Sequence, residues 1–200
     1  MYAWRKMCKA QREDVLRQRR LDGVPWHSPP HFDHDMPLCF HLTAACRDHI
    51  ALIGHSPERM ADFESELLSV LRAAAVDTRA WCVLPNHWHA LVKTADLKAT
   101  VRAVGRMHGR LSRIWNLEER MTGRSCWYCC ADRRMRGEAH YFATLNYIHH
   151  NPIHHGYAEK WQEWPFSSAV QWLDAVGSEE AERTWRDFPL LDYGKGWDDP

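Results

Sequence analysis

From Leu38 to Cys46, apolar and polar positions alternate. Phe40, Leu42, Ala44 and Cys46 fall on one side, and Cys39, His41, Thr43 and Ala45 on the other, which predicts a strand. Ser56-Pro57-Glu58 then carries the marks of a helix start: an N-cap serine, proline at the first position and an acid in the first turn. Met60, Phe63, Leu67, Val70 and Ala74 keep helical spacing to about residue 75. Residues 78–84 and 87–94 predict two further strands, and Pro85-Asn86 between them predicts a hairpin. Residues 97–116 predict a helix with Val104, Met107, Leu111 and Ile114 on one side. Residues 126–133 predict a fourth strand, and 138–150 a helix that Pro152 ends at or near Asn151. Gly156 and Trp164-Pro165 mark a turn-rich exit before a short helix over 167–176.

The order β-α-β-β-α-β followed by a helix is the ferredoxin-like split βαβ arrangement, an α+β fold with an antiparallel sheet and helices on one face. Residues 38–176 make that domain. Before it, residues 1–37 combine a basic helix with a linker stiffened by Pro25, Pro29 and Pro30. After it, residues 177–200 read as a loosely packed acidic tail.

Charge changes the picture because it is segregated. The formal net charge is zero. Yet residues 1–20 hold seven Lys/Arg against two Asp/Glu, and residues 98–136 hold ten against three. Residues 174–200 hold three against eight. A neutral total therefore does not exclude a nucleic-acid partner, because phosphates respond to local charge. On the helix at 97–116, Arg102, Arg106, Arg110 and Arg113 lie within about 80° of one another, opposite the apolar stripe. They are candidate phosphate contacts, as are Arg133, Arg134 and Arg136; the alternative is a solvated helix face. Trp26, Trp127 and Tyr128 are candidates for stacking unpaired bases.

No apolar run is long enough to span a bilayer and no signal peptide is visible, which predicts a cytoplasmic protein. The seven cysteines read as reduced thiols. Cys126-x-x-Cys129 could form half of a zinc site, with Cys46-x-x-His49 the only near partner.

The candidate chemistry lies in two stretches. In Leu84-Pro85-Asn86-His87-Trp88-His89-Ala90-Leu91-Val92, side chains two apart on a strand share a face. His87 and His89 can thus share one cation, while Trp88 points into the core. Alone, such a pair is common by chance in a chain with 14 histidines, and a structural pair is the competing reading. In the helix at 138–151, Asn151, Ala143, His140 and Thr144 lie within about 60° of Tyr147, while Tyr141, Phe142, Leu145 and Ile148 lie about 100° or more away. Tyr147 and Asn151 therefore point together, away from the apolar face. If they meet His87 and His89, Asn151 becomes a third ligand and Tyr147 stands beside any phosphate the metal holds. Otherwise Tyr147 is a packed tyrosine with a bonded hydroxyl. His149, His150, His154 and His155 flank the site as DNA contacts, a proton relay or, for most of them, surface residues. A nearby divalent cation favours the phenolate and polarises a phosphate. A phosphotyrosine keeps the bond energy for rejoining. Two imidazoles and an amide suit Mg²⁺ or Mn²⁺, and zinc also fits.

The first stretch resembles the His-hydrophobe-His (HUH) motif of single-tyrosine transposases. Tyr147-Ile148-His149-His150-Asn151-Pro152-Ile153-His154-His155-Gly156, with Trp164-Pro165-Phe166-Ser167-Ser168-Ala169, resembles the signature of REP-associated tyrosine transposases. That resemblance implies a ferredoxin-like HUH domain that cleaves single-stranded DNA near imperfect hairpins, the REP-like palindromes. It implies a 5′-phosphotyrosine and a released 3′-hydroxyl. It places the metal ligands on His87, His89 and Asn151, the nucleophile on Tyr147, and Mg²⁺ or Mn²⁺ between them. Relatives work as homodimers or as monomers. Many are strongly basic, and this neutral chain with an acidic tail departs from them. Two other readings remain: a nucleic-acid binding protein of the same fold without cleavage, and a zinc-stabilised interaction module.

Overall fold

The computed structural model describes residues 38–191, with Arg17 and Tyr193 as isolated positions. The basic arm and Pro-rich linker, Trp26 among them, lie outside the described residues.

Four strands form one antiparallel sheet: β1 (Leu38–Ala45), β2 (Asp77–Val83), β3 (His87–Thr94) and β4 (Ala131–Arg134). Their order is β2-β3-β1-β4, the ferredoxin-like order. Between β1 and β2 runs α1 (Pro57–Ala73), and between β3 and β4 runs α2 (Leu97–Glu118). Both pack on the face carrying Phe40, Leu42, Ala44, Trp88, Ala90 and Val92, burying Met60, Phe63 and Leu67 of α1 and Val104, Met107 and Leu111 of α2. The helix pair expected on one face is there. A third helix, α3 (Glu138–His154), covers the other face, where Leu145, Tyr147 and Ile148 meet Ala80, Cys82, Leu84 and Leu91.

Local signals explain the ends of these elements. Ser56 Oγ accepts from Arg59 N at 3.2 Å to cap α1. Asp96 Oδ1 accepts from Ala99 N at 2.8 Å to cap α2. Within α2 the buried stripe runs Val104, Met107, Leu111, Trp115, with His108 beside it, while Ile114 is 40% exposed.

Three expectations change. First, α3 does not stop before Pro152 but runs through it to His154. The real stop is Gly156, in the left-handed region at φ 71. Gly156 N donates to Ile153 O at 2.9 Å and Tyr157 N to Pro152 O at 2.8 Å, the paired bonds of a Schellman ending. Second, the strand expected over 126–133 pairs with β1 only from Ala131 to Arg134. Upstream there is one bridge, Cys46 to Trp127, because the Trp127 ring turns inward and stacks on His108 at 4.0 Å. Third, the acidic tail is not loosely packed throughout. After α4 (Ala169–Val176) comes α5 (Ser178–Asp187), which buries Ala181 and Thr184. Asn146 Nδ2 of α3 donates to Phe188 O at 2.9 Å and Thr184 O at 3.3 Å.

The loop after β1 closes on the Pro85-Asn86 turn. Gly54 N donates to Pro85 O at 2.8 Å. A Cβ at Gly54 would lie 2.4 Å from Pro85 Cβ and 2.8 Å from its Cα. Gly54→Ala should therefore push that turn away and destabilise the protein by about 1–3 kcal/mol, an overpacking cost. Urea denaturation checks this, and unchanged stability would contradict it. Among the described residues, no helix is long and apolar enough to cross a membrane.

Candidate active site

β3 begins at His87, directly after the turn, and its strand geometry sorts the three residues of the motif. Trp88 is fully buried toward α1 and α2, where its indole Nε1 donates to His108 Nε2 at 3.1 Å. His87 and His89 project to the opposite face with ring centroids 5.0 Å apart. β1 adds a third imidazole to that face, His41, whose Nε2 lies 3.0 Å from His89 Nδ1.

α3 supplies the rest. Asn151 Oδ1 lies 3.0 Å from His87 Nε2, and the Tyr147 ring lies 5.3 Å from that of His89 and 6.1 Å from that of His41. Tyr147 and Asn151 thus converge on the histidine pair, as their shared helix face predicts. All four side chains are buried, with Tyr147 5% exposed.

The segment Trp164–Ala169 explains how α3 is held there. Val83 N donates to Phe166 O at 2.8 Å, and Trp164 Nε1 donates to Val83 O at 2.8 Å. Ser168 Oγ accepts from Trp81 N at 2.9 Å and meets His149 Nε2 at 2.9 Å. This segment braces the edge of β2 and ties α3 to it. His149 is therefore a core residue, not a surface histidine. His154 is exposed, and His150 packs on Trp185 with ring centroids 5.5 Å apart. His155 stands against the site, 4.9 Å from the His87 ring.

Burial pulls the His149 imidazole down to about 3 and that of His108 down to about 4. Both lie below the ordinary value near 6.5. Between those limits the unfolded chain binds more protons than the native one. Stability is therefore complete above about pH 6.5 and is lost as pH falls toward the folded values. By pH 4.5 the loss should be on the order of 2–3 kcal/mol for each group. Denaturant titrations at pH 7.5 and 4.5 measure it, with His149→Gln removing its share; equal stability at both pH values would contradict it.

The donor set fits a hard divalent cation. His87 Nε2 and Asn151 Oδ1 lie 3.0 Å apart, and with the ring proton on Nδ1 both atoms turn lone pairs toward a cation placed between them. For cis ligands of an octahedron with bonds of about 2.1 Å, the expected separation is about 3.0 Å. Asn151 Nδ2 makes no hydrogen bond among the described residues, so the amide is free to turn its nitrogen to His87 without metal and its oxygen to a cation. Among the described residues, no group of three or more His, Cys, Asp and Glu could hold a metal. Among the described residues the half-site at Cys126-x-x-Cys129 is not completed to a ligand set: Cys126 is buried with its Sγ 3.5 Å from Asn116 Oδ1, and Cys129 is exposed.

The arginines separate by face. Arg102, Arg106, Arg110 and Arg113 are exposed on α2, which packs on the sheet face opposite the histidines. The structure does not bring them to the site, and Arg110 Nη2 pairs with Glu66 Oε2 at 2.6 Å. Arg134 is paired with Phe40 in the ladder and shares its face. Arg133 is paired with His41 and shares the site face. Arg136 N donates to His140 Nδ1 at 3.2 Å. Burial, then the charges of Arg133 and Arg136, lower the His140 pKa. Arg133 and Arg136 therefore flank the Tyr147 stripe of α3. Trp127 is partly buried with one face stacked on His108 at 4.0 Å, whereas Tyr128 is 39% exposed with the Arg47 guanidinium 4.9 Å from its ring centroid.

Sequence reasoning missed three residues. His41 was legible only as a polar position on β1, on the face opposite Phe40. Asn86 was read as a turn residue, yet its Oδ1 lies 2.7 Å from His87 Nδ1. Tyr193, in the tail, places its ring 5.8 Å from that of Tyr147 and its hydroxyl against Thr144 Oγ1; no pattern in the chain announces it.

No family model matches the chain, and no curated protein matches it. Six solved chains do. One is a REP-associated tyrosine transposase bound to a REP hairpin, 19% identical over 72% of this chain and 84% of that one, with a TM-score of 0.55. Another is a transposase candidate from Deinococcus radiodurans R1, 17% identical over 66% of this chain and 99% of that one, with a TM-score of 0.41. The first likeness shows that this chain has the fold of a REP-associated tyrosine transposase.

Proposed function

We propose that the protein is a metal-dependent endonuclease and strand transferase for single-stranded DNA, acting near hairpins or palindromic repeats through a 5′-phosphotyrosine. The observation that carries this reading is the convergence of Tyr147 and Asn151, from one face of α3, on His87 and His89 of β3. The hairpin in the similar structure supports the choice of substrate.

His87, His89 and Asn151 would hold Mg²⁺ or Mn²⁺. When bound, the cation supplies positive charge that draws the scissile phosphate and favours the phenolate. Tyr147 Oη then attacks phosphorus, and its proton passes to solvent. The P–O3′ bond breaks, and the departing oxygen takes a proton to become a 3′-hydroxyl. A 3′-hydroxyl attacking the phosphotyrosine reverses the step and joins strands. Arg133 and Arg136 contact the DNA backbone beside Tyr147, a role supported by their position near His140 on the Tyr147 stripe. The four site residues meet within one chain. At 5% exposure Tyr147 meets a phosphate only when its cover, Tyr193 included, is displaced.

That burial favours one second reading: the fold binds structured nucleic acid without cutting it. Incubation with labelled single-stranded hairpins and Mn²⁺ separates the two. The proposed reaction gives a fragment ending in a 3′-hydroxyl that disappears with chelator. Salt-sensitive hairpin binding with no fragment, at any metal concentration, would establish the second reading instead.

A further inference from the structure

His87 and His89 each have a different side chain at Nδ1. His87 Nδ1 lies 2.7 Å from Asn86 Oδ1, and His89 Nδ1 lies 3.0 Å from His41 Nε2. The amide of Asn86 is oriented independently of His87. Its Nδ2 donates to the His49 carbonyl at 3.1 Å, and a carbonyl only accepts. Oδ1 must therefore face His87. An amide oxygen also only accepts, so Nδ1 of His87 carries the proton. A ring with its one proton on Nδ1 has its lone pair on Nε2, which accepts from Asn151 once that amide, unlike Asn86 not oriented by a second hydrogen bond, turns its Nδ2 inward.

The carbonyl that orients Asn86 is itself held. Asp48 and His49 both lie in the left-handed region at φ 53, which disfavours side chains and persists where surrounding contacts impose it. Tyr128 supplies one such contact, its hydroxyl donating to Asp48 Oδ1 at 3.2 Å. Cys46 N donates to Asn86 O at 2.7 Å, closing the loop onto the turn from the other side. A lone turn asparagine needs none of this. The arrangement serves the imidazole that follows it.

We propose that Asn86 and His41 are positioning residues that set the tautomers of the two metal-binding histidines, Asn86 for His87 and His41 for His89, so that both rings offer Nε2 to the cation. His41 Nε2 accepts the His89 Nδ1 proton, and His41 carries its own proton on Nδ1. The opposite direction would put a proton on His89 Nε2 and remove it from the donor set. Free neutral histidine favours the proton on Nε2, so each tie works against the intrinsic preference. Such partners of ligand histidines fix ring orientation and tautomer and raise ligand basicity. The inference rests on reading His87 and His89 as metal ligands.

Long-range ¹H–¹⁵N correlation spectra of the metal-free protein above pH 7.5 report the tautomer of each imidazole directly. Wild type should show His87 and His89 both protonated at Nδ1. Asn86→Ala should release His87, and His41→Leu should release His89, toward the Nε2-protonated form. Asn86→Asp and His41→Gln, which keep an acceptor in place, should retain the wild-type pattern. A parallel Mn²⁺ titration followed by electron paramagnetic resonance should show roughly 10–100-fold weaker binding for Asn86→Ala and His41→Leu and near-wild-type binding for the two conservative variants. Either ring protonated at Nε2 in wild type overturns the proposal, whatever the variants do and even if one of them fails to fold. Correct tautomers in a wild type that binds no Mn²⁺ with hairpin present support the positioning and sink the metal reading. The two failures are thus distinguishable.

Discussion

Tyr147→Phe abolishes the covalent protein–DNA species and leaves hairpin binding intact. The substitution removes one oxygen from a ring packed among His41, His89 and Tyr193. The ring itself stays, so native stability should change by no more than the net worth of a hydrogen bond, about 1.5 kcal/mol. The chemistry has no such reserve. No other tyrosine hydroxyl follows from the helix face that meets His87 and His89, so cleavage should fall at least 1000-fold, the scale of losing a covalent nucleophile. Denaturing electrophoresis of labelled hairpins reads the adduct, and native electrophoresis reads binding. A covalent band of wild-type intensity in Tyr147→Phe would assign the nucleophile elsewhere.

The second large effect is expected at the metal. His87→Ala or His89→Ala removes one of three donors and leaves two. Cleavage in Mn²⁺ should drop by at least about 100-fold, and higher Mn²⁺ should recover part of it, because a weakened site still fills by mass action. Asn151→Asp supplies a charged oxygen at the same place and should keep or raise Mn²⁺ affinity. Asn151→Ala should behave like the histidine variants but less severely, as an amide oxygen is the weakest of the three donors. Calorimetric Mn²⁺ titrations of wild type and the four variants test the order. Equal Mn²⁺ affinity in wild type and His87→Ala would place the cation elsewhere.

What could be read from the chain depended on the distance over which the signal acts. The alternation through Leu38–Ala45 gave β1 because a strand's two faces meet different surroundings. Ser56 and Pro57 gave the start of α1 because capping is local. The wheel placed Tyr147 and Asn151 together, but only packing shows that they face His87. Periodicity likewise gave the arginine side of α2 without saying which face of the sheet α2 covers. That face proved to be the one opposite the histidines. Pro152 misled because its local cost is modest near a helix end, where Gly156 sets the stop. The Trp164–Ser168 brace and the docking of α5 through Asn146 depend on partners far apart in sequence. No window of the chain contains both.

The most direct test of the central claim is to find the atom that carries the DNA. The wild-type adduct formed on a single-stranded hairpin in Mn²⁺ is digested with protease and nuclease, and the nucleotide-bearing peptide is sequenced by mass spectrometry. A single modified residue is expected, Tyr147, joined to a 5′-phosphate. A nucleotide on any other residue, or a 3′-phosphate linkage on Tyr147, would contradict it.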